Sequence, residues 1–490
     1  MTDPASAAPP APASPSRFAR EVAFVFFVSV ALAFLAVRTG RLLTFDGYHY
    51  VEFAKRFVHE WPDRFGNHWP FGWPLAGGLL ARLGVPAYYA LLGLSAAAML
   101  GLLAGAALVL RAHSARLAVL CAVGAAPVIA PQLTGVLAEL PFAAALLALA
   151  LCLAHWPHRA ALWGAAGCAL LALGIRYAGL VALAMIVVRL AEQRANLRSA
   201  ARLSEALAAA FSTALVCALL LGLNILKSGH ASGAQRGNPP GLAALPHELA
   251  SYGWSAPSAL IVGGLRDLVG PDTSAGVVIG GACFLAVAAL CARSWRRPLT
   301  AYSRPLALVA LGYSAGMGVL HCIGEFDALY NARTFLPALT PLALLAAERL
   351  AARRAWLLGL CALVVVAGTV ASYRGISREI GGDVAPSVPL LRTLLAPADR
   401  IAINDHAFAV AAYFPNATDR TWPEYWDEAT SPSFIVVAGK PHDRAGGGAV
   451  VPPDWVALAE RLVATGRYRY LIRQTDLLAL RRFAPPASSP

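Results

Sequence analysis

Long runs of Ala, Leu and Val alternate along this chain with short polar breaks, and the rhythm of those breaks predicts its architecture. A bilayer is crossed by about 20 apolar residues, fewer where flanking side chains snorkel. Such stretches lie near 21–38, 86–110, 117–131, 136–154, 160–174, 177–190, 206–226, 275–292, 305–322, 334–349 and 355–372. The run from 160 to 190 would pass for one tilted helix, but Gly174-Ile175-Arg176-Tyr177 puts a charge in its middle. Splitting it there predicts eleven spans. Residues 1–16 are Ala, Pro and Ser, a tail with no core-forming side chains and expected to be disordered. Ala31-Leu32-Ala33 has the small-residue form of a signal-peptidase site, yet the apolar run continues past it, so an uncleaved first span is expected.

The distribution of charge tests this map. With the N-terminus cytoplasmic, the inside loops are Arg111–Arg116, His155–Arg159, Arg189–Glu205, Arg293–Arg304 and Arg349–Arg354, all rich in Arg and poor in acid. The opposite loops (38–85, 227–274 and 321–333) and the tail from 373 carry most of the Asp, Glu, His and Trp. That asymmetry is the positive-inside rule. Removing the split at 174–177 would invert every later span and destroy the agreement. The transmembrane part is therefore expected over 17–372, with the long loops and a soluble domain at 373–490 outside.

Three outside stretches differ from simple connectors. Thr44 to Leu80 follows the first span and begins as an amphipathic helix: Tyr50, Phe53, Ala54 and Phe57 recur at helical spacing, with Glu52, Lys55, Arg56 and His59 on other faces. Such a helix lies along a membrane surface. Residues 227–274 mix Gly/Pro turns with short amphipathic pieces, and long structured loops are commonly functional. From 373 the strand-like runs Ile401–Ile403 and Phe434–Val437, a helix near 454–465 and a strand pair near 468–482 predict a small α/β domain.

Composition agrees with a polytopic membrane protein. Of 490 residues 58% are hydrophobic and only 14% charged, and the mean hydropathy is +0.59. Soluble proteins carry about 25% charged residues. The net charge of +13 then reflects loop placement and gives no reason to expect a nucleic-acid partner. Eight Cys lie almost entirely in apolar runs with no CxxC pair, so they read as packing residues, with neither a zinc site nor a disulfide framework.

Charge held in a bilayer is costly and seldom idle. Four polar clusters stand at outer ends of spans: Asp46 with His49 and Glu52; Glu139; Arg176 with Tyr177; and Glu325, Asp327, Tyr330 and Arg333. Each acid also fits a helix-start role, as a cap or a dipole partner, Glu139 before Pro141 especially. Each Arg also fits an anchor on lipid phosphate. Trp69 and Trp73 suit an interfacial aromatic belt. His247-Glu248 lacks the second His of a zincin helix, and Gly446–Gly448 has no strand-to-helix setting for a phosphate cradle. Asn416-Ala417-Thr418 is a chance-level glycosylation pattern, and Asn404-Asp405-His406 follows a strand where turn residues belong.

The order of these motifs resembles the GT-C glycosyltransferases, nearest the bacterial enzymes related to protein mannosyltransferases and aminoarabinose transferases. Phe45-Asp46-Gly47-Tyr48-His49-Tyr50 and His68-Trp69-Pro70-Phe71-Gly72-Trp73-Pro74-Leu75 look like that family's first external loop. Ala138-Glu139-Leu140-Pro141-Phe142 is similar to its Ser-Glu-containing span, and Gly174–Leu180 to its Arg-containing break. Tyr330-Asn331-Ala332-Arg333-Thr334-Phe335-Leu336-Pro337 resembles its Arg-aromatic-Leu-Leu-Pro element. The likeness covers about residues 20–372. Gly47 stands where many relatives have an acid, and Thr334 where they have an aromatic.

The resemblance implies a GT-C-like fold for the part with about eleven transmembrane helices. The small C-terminal periplasmic α/β domain is read from its strand and helix pattern, and the Ala-, Arg- and Pro-rich stretches suggest a GC-rich bacterial source and hence an inner membrane. It implies transfer of a sugar from a polyprenyl-phosphate donor to a hydroxyl of a lipid, glycan or protein, with inversion. Asp46 would be the general base, and Arg333 and Arg176 would hold the donor phosphate. His49, Tyr50, Glu52, Trp69, Trp73, Glu139, Tyr177, Glu325, Asp327 and Tyr330 would line the substrate site. No cofactor and no metal are implied, since a monophosphate leaving group needs none. A flippase or transporter for lipid-linked sugars would share the Arg groups but calls for polar span interiors and pseudo-symmetry. A polymerase or ligase would not need an Asp directly after the first span. A scaffold would tolerate loss of Asp46.

Overall fold

The computed structural model describes residues 15–38, 45–59, 70–111, 113, 115–126, 128–156, 158–193, 200–231, 239–260, 273–323, 332–350, 355–376, 386–404, 407, 409–414, 417–420, 432–439 and 450–483. The apolar stretches fold as helices at nearly the expected places. In chain order these are α1 (Pro15–Arg38), α2 (Phe45–His59), α3 (Gly72–Arg82), α4 (Ala87–Val109), α5 (Arg116–Gly124), α6 (Ile129–Thr134), α7 (Glu139–Ala154), α8 (Arg159–Ile175), α9 (Leu180–Gln193) and α10 (Ala200–Ser228). There follow α11 (Leu245–Leu260), α12 (Ser274–Arg296), α13 (Ser303–Ile323), α14 (Ala332–Leu350) and α15 (Ala355–Ile376). Among the described residues four helices are long and apolar enough to cross a membrane alone: Ala87–Val109, Leu203–Ser228, Ser274–Arg296 and Ser303–Ile323.

The chain does break at 174–177. Helix α8 ends at Ile175, Arg176 is extended (φ −147°, ψ 139°), and a single 3₁₀ turn at Tyr177–Gly179 starts α9. Only glycine fits at 179, because a Cβ there would lie 2.3 Å from the main chain of Ala172 and Leu173. The chain then runs back, and Arg189 on α9 donates from Nε to Leu153 O at the far end of α7, 3.1 Å away. The predicted inside loops meet at that same end. Arg304 Nη1 bonds Glu192 at 3.0 Å, Arg116 pairs with Glu21 at 2.6 Å, and Ser303 Oγ donates to Glu348 at 2.8 Å.

Two expectations need correction. The stretch 117–131 is not one span but two short helices, α5 ending at Gly124 and α6 starting at Ile129. The 227–274 loop holds a full helix, α11, packed along α12 so closely that a Cβ at Gly280 would stand 2.0 Å from Ala250 O. A third helix outside the expected set, α3, fills the Trp/Pro-rich approach to α4.

Helix α7 is apolar all round and correspondingly buried, with Leu140, Phe142, Leu146, Leu147 and Leu149 enclosed by α4, α8, α13 and α14. Its first residue, Glu139, is thereby carried among the neighbouring helices at one end of the bundle.

Residues after 386 form a five-stranded sheet with two flanking short helices, α16 (Ser387–Leu394) and α17 (Ala409–Tyr413), and a longer one, α18 (Pro453–Ala464). The strands are β1 (Ile401–Ile403), β2 (Thr418–Arg420), β3 (Phe434–Ala438), β4 (Tyr468–Arg473) and β5 (Leu477–Arg482), in the order β2-β1-β3-β5-β4. β1 runs parallel to β2 and β3, and β5 antiparallel to β3 and β4. Trp455, Leu458 and Leu462 of α18 cover one face against Ile435, Val437 and Leu480. Ile401, Ile403, Phe434 and Val436 on the other face join the same core as the helical bundle. Asn404 is the turn residue expected after β1: its amide bonds both Ala438 O (2.8 Å) and Ala438 N (3.1 Å).

Candidate active site

Four charged residues from four separate segments converge at one end of the bundle. Asp46 is the second residue of α2, one position inside the helix, so its carboxylate is not an N-cap. It accepts a hydrogen bond from Arg333 Nη1 at 2.5 Å. Arg333, at the start of α14, also brings Nε to 3.5 Å from Glu139 Oε1. Glu139 Oε1 in turn accepts directly from Arg176 Nη1. The result is a charge-balanced chain, Asp46–Arg333–Glu139–Arg176, in which acid and base alternate.

Burial grades this chain. Glu139 is 1% exposed and sits at the positive end of the α7 dipole, between two guanidinium groups. Its second oxygen, Oε2, is buried without a hydrogen bond among the described residues. The side chains of Arg333 and Arg176 stay 30% and 24% exposed, and Asp46 20%. The cations and Asp46 therefore face an accessible mouth, with Glu139 behind them.

Tyr50, one turn after Asp46 on α2, is buried against all four charges; desolvation pushes its phenol well above the ordinary range, so it is a neutral donor. Tyr313 of α13 lies close to Arg176 and Glu139, and its hydroxyl donates to Thr334 O at 3.0 Å, fixing the α14 start beside Arg333. Tyr252 of α11 packs on the rings of Tyr313 and Phe335, centroids 6.3 and 5.5 Å apart. The 227–274 loop thus supports the site from below through its one described α-helix.

The backbone leading into Glu139 is strained. Val136 has φ +49°, an unusual conformation for a β-branched residue. Two aromatic donors hold it there: Trp73 Nε1 to Val136 O at 2.9 Å, and Tyr88 Oη to Thr134 O at 3.0 Å. Strain of this kind costs about 1–3 kcal/mol and persists where the surroundings over-determine it.

No protein-family model matches the sequence, and no curated protein matches it. Solved structures do. ArnT from Cupriavidus metallidurans bound to undecaprenyl phosphate superposes with a TM-score of 0.52 at 11% identity, over 96% of this chain and 99% of that one. The apo state of the same protein gives 0.50 at 13% identity, over 94% and 97%. This chain shares the fold of that ArnT over nearly its whole length. Four of its described helices are long and apolar enough to cross a membrane, and a small sheet domain follows toward the C-terminus.

Within this fold the sequence candidates separate into groups. Asp46, Tyr50, Glu139, Arg176 and Arg333 come together. Trp73 is buried, 4% exposed, with its N–H on the Val136 carbonyl. His49 is buried with its ring against Tyr48 and Phe53. Tyr177 occupies the turn beside Arg176. Glu52 points away from the four charges toward the sheet domain, bonded to Lys55 at 3.0 Å. Trp69, Glu325, Asp327 and Tyr330 lie outside the described residues.

Tyr313 and Lys55 had no place among the candidates. Tyr313 sits mid-span with no charged neighbour in sequence to single it out, and two of the three partners of Lys55 lie in another domain. An apolar groove of about 380 Å³ opens next to the charges, where Gly72, Trp73, Pro141 and Ile175 give way to Ala144, Ala148 and Gly105 along α4, α7 and α8. No group of three or more His, Cys, Asp or Glu spaced for a metal ion occurs among the described residues.

Proposed function

We propose that the protein transfers a sugar from a polyprenyl-phosphate carrier to a hydroxyl acceptor at the outer face of a bacterial inner membrane, inverting the anomeric centre. The convergence of Asp46, Glu139, Arg176 and Arg333 carries this reading. A phosphate that enters the mouth meets two guanidinium groups held in place by a buried carboxylate. The groove along α4, α7 and α8 offers an apolar path for the carrier's chain.

In the proposed reaction the donor phosphate takes over Arg333 and Arg176. That exchange releases Asp46 from Arg333, leaving a carboxylate at the mouth with no cation upon it. The acceptor O–H gives its proton to Asp46 while its oxygen bonds to the anomeric carbon from the face opposite the phosphate. The carbon–oxygen bond to phosphate breaks, and its electron pair leaves with the lipid phosphate. Charge growing on that phosphate is stabilised by preorganised cations in a site of low dielectric, worth about 3–4 kcal/mol for one well-placed donor. Glu139 holds the two arginines apart and aimed. The chemistry draws on no metal, and an activity that EDTA abolishes would count against it.

The test is sugar transfer by purified protein in nanodiscs from a panel of polyprenyl-phosphate sugars, wild type against Asp46→Asn. Asn keeps the shape of the side chain but is no base. A fall of about a hundredfold or more in the variant, at equal abundance and fold, is the scale of a lost general base. Equal rates, or no donor consumed by the wild type, would move the flippase or scaffold reading ahead.

A further inference from the structure

Helix α2 is short, lies outside the bundle, and carries both Asp46 and Tyr50, so its placement decides whether the site exists. A lone helix of 15 residues is marginal in water. On the bundle side it is held by α3 and α4; Arg82 Nε donates to Phe57 O at 2.9 Å, and a Cβ at Gly78 would meet Phe57 Cβ at 2.6 Å. On the other side stands the sheet domain. Lys55 Nζ donates to Thr418 O at 2.5 Å, Asp419 Oδ1 at 3.2 Å and Glu52 Oε1 at 3.0 Å. Thr418 and Asp419 belong to β2, the edge strand, so the three ammonium protons join the sheet's border to α2. Glu52 is buried beneath them; burial raises its carboxyl while Lys55 counteracts, so without Lys55 its charge would lose its bonded cation. Packing continues the polar join, because α17 also rests on α2, and both share one core with the inner face of the sheet.

We propose that the sheet domain is an integral part of the active site and that Lys55 is a positioning residue, clamping β2 onto α2 so that Asp46 meets Arg333. This rests on the transferase reading above. Lys55 touches no substrate; it acts through α2 on the placement of the base.

The experiment compares wild type, Lys55→Met and Lys55→Arg for sugar transfer in nanodiscs. Alongside them runs a Lys55→Cys/Asp419→Cys pair, in a chain whose eight native cysteines are Ala. The paired variant is assayed before and after joining by a short bismaleimide. Misplacing a reacting group by about 1 Å can cost about a hundredfold. The expected result is a kcat about tenfold or more lower in Lys55→Met, with the donor KM changed less than about twofold. Lys55→Arg should retain most of the rate. The paired variant should be slow when untied and recover when tied, which a merely local loss of stability would not do. A Lys55→Met enzyme as fast as wild type overturns the proposal, as does a folded pair that cannot be cross-linked or gains nothing once tied. A wild type that transfers no sugar overturns the transferase reading and this proposal together; a wild type that transfers while Lys55→Met is indifferent overturns this proposal alone.

Discussion

Asp46 and Arg333 hold one another in the resting cluster, so an arriving phosphate competes with Asp46 for the guanidinium. The Asp46→Asn variant should then bind polyprenyl phosphate more tightly than wild type, even as transfer fails. A tenfold gain, about 1.4 kcal/mol, is the scale expected from removing one partly exposed competitor. Titration of the purified proteins with polyprenyl phosphate measures it. Weaker binding in the variant would mean that Asp46 chiefly holds Arg333 in position. The members of the cluster were legible as polar groups at the outer ends of apolar runs, since the cost of charge in a bilayer singles such residues out. The place of Glu139 between two arginines was not legible. It depends on α7 starting where α2, the α8–α9 break and α14 all approach, which no local pattern encodes. Glu52 reads as a site residue by its spacing from Asp46, yet it sits on the α2 face turned to the sheet.

At the scale of elements, spacing and breakers carried most of the information. The charge at Arg176 marked a real break, and alternating hydrophobic runs after residue 400 became strands. Helix α11 escaped because its Gly, Pro and polar residues look like a loop until α12 offers a glycine surface to pack upon. That surface is testable. Gly280 and Gly253 bring two backbones together, and a Cβ at 280 would meet the Ala250 carbonyl, an atom that cannot rotate aside. Gly280→Ala should force the helices apart and lower the thermal midpoint, at a cost of about 1–3 kcal/mol, as overpacking usually does. Gly281→Ala is the control, since its Cβ would find its nearest neighbour 4.0 Å away. Thermal unfolding in detergent, followed by tryptophan fluorescence, compares them. Equal midpoints would show that α11 and α12 tolerate separation, and that Tyr252 reaches Tyr313 by other means.

Across the whole molecule, Arg189 and Arg304 from two predicted inside loops meet near the C-terminal end of α7, and the candidate site lies at its N-terminal end, so a cytoplasmic N-terminus would put the site outside. The orientation itself is a prediction. In the cysteine-free background, a Thr465→Cys variant in intact cells should react with a membrane-impermeant maleimide. An Ala301→Cys variant should react only after the cells are opened. Both positions are exposed in the fold, so the reverse pattern would place the sheet domain and the cluster inside.

The sequence by itself determined the apolar class of the chain, the position of most helices, the break at 174–177 and the asymmetry of charge between alternate loops. These are local signals, written in runs of about 20 residues or fewer and in the composition of the loops between them. Only the tertiary structure decided which of the polar residues share a site. Arg333 reaches Asp46 across 287 positions, and Lys55 reaches Thr418 across 363. Contacts of that range depend on how helices cross and how a sheet settles on them. Those are properties of side-chain packing in three dimensions, to which the period of a hydrophobic pattern is blind.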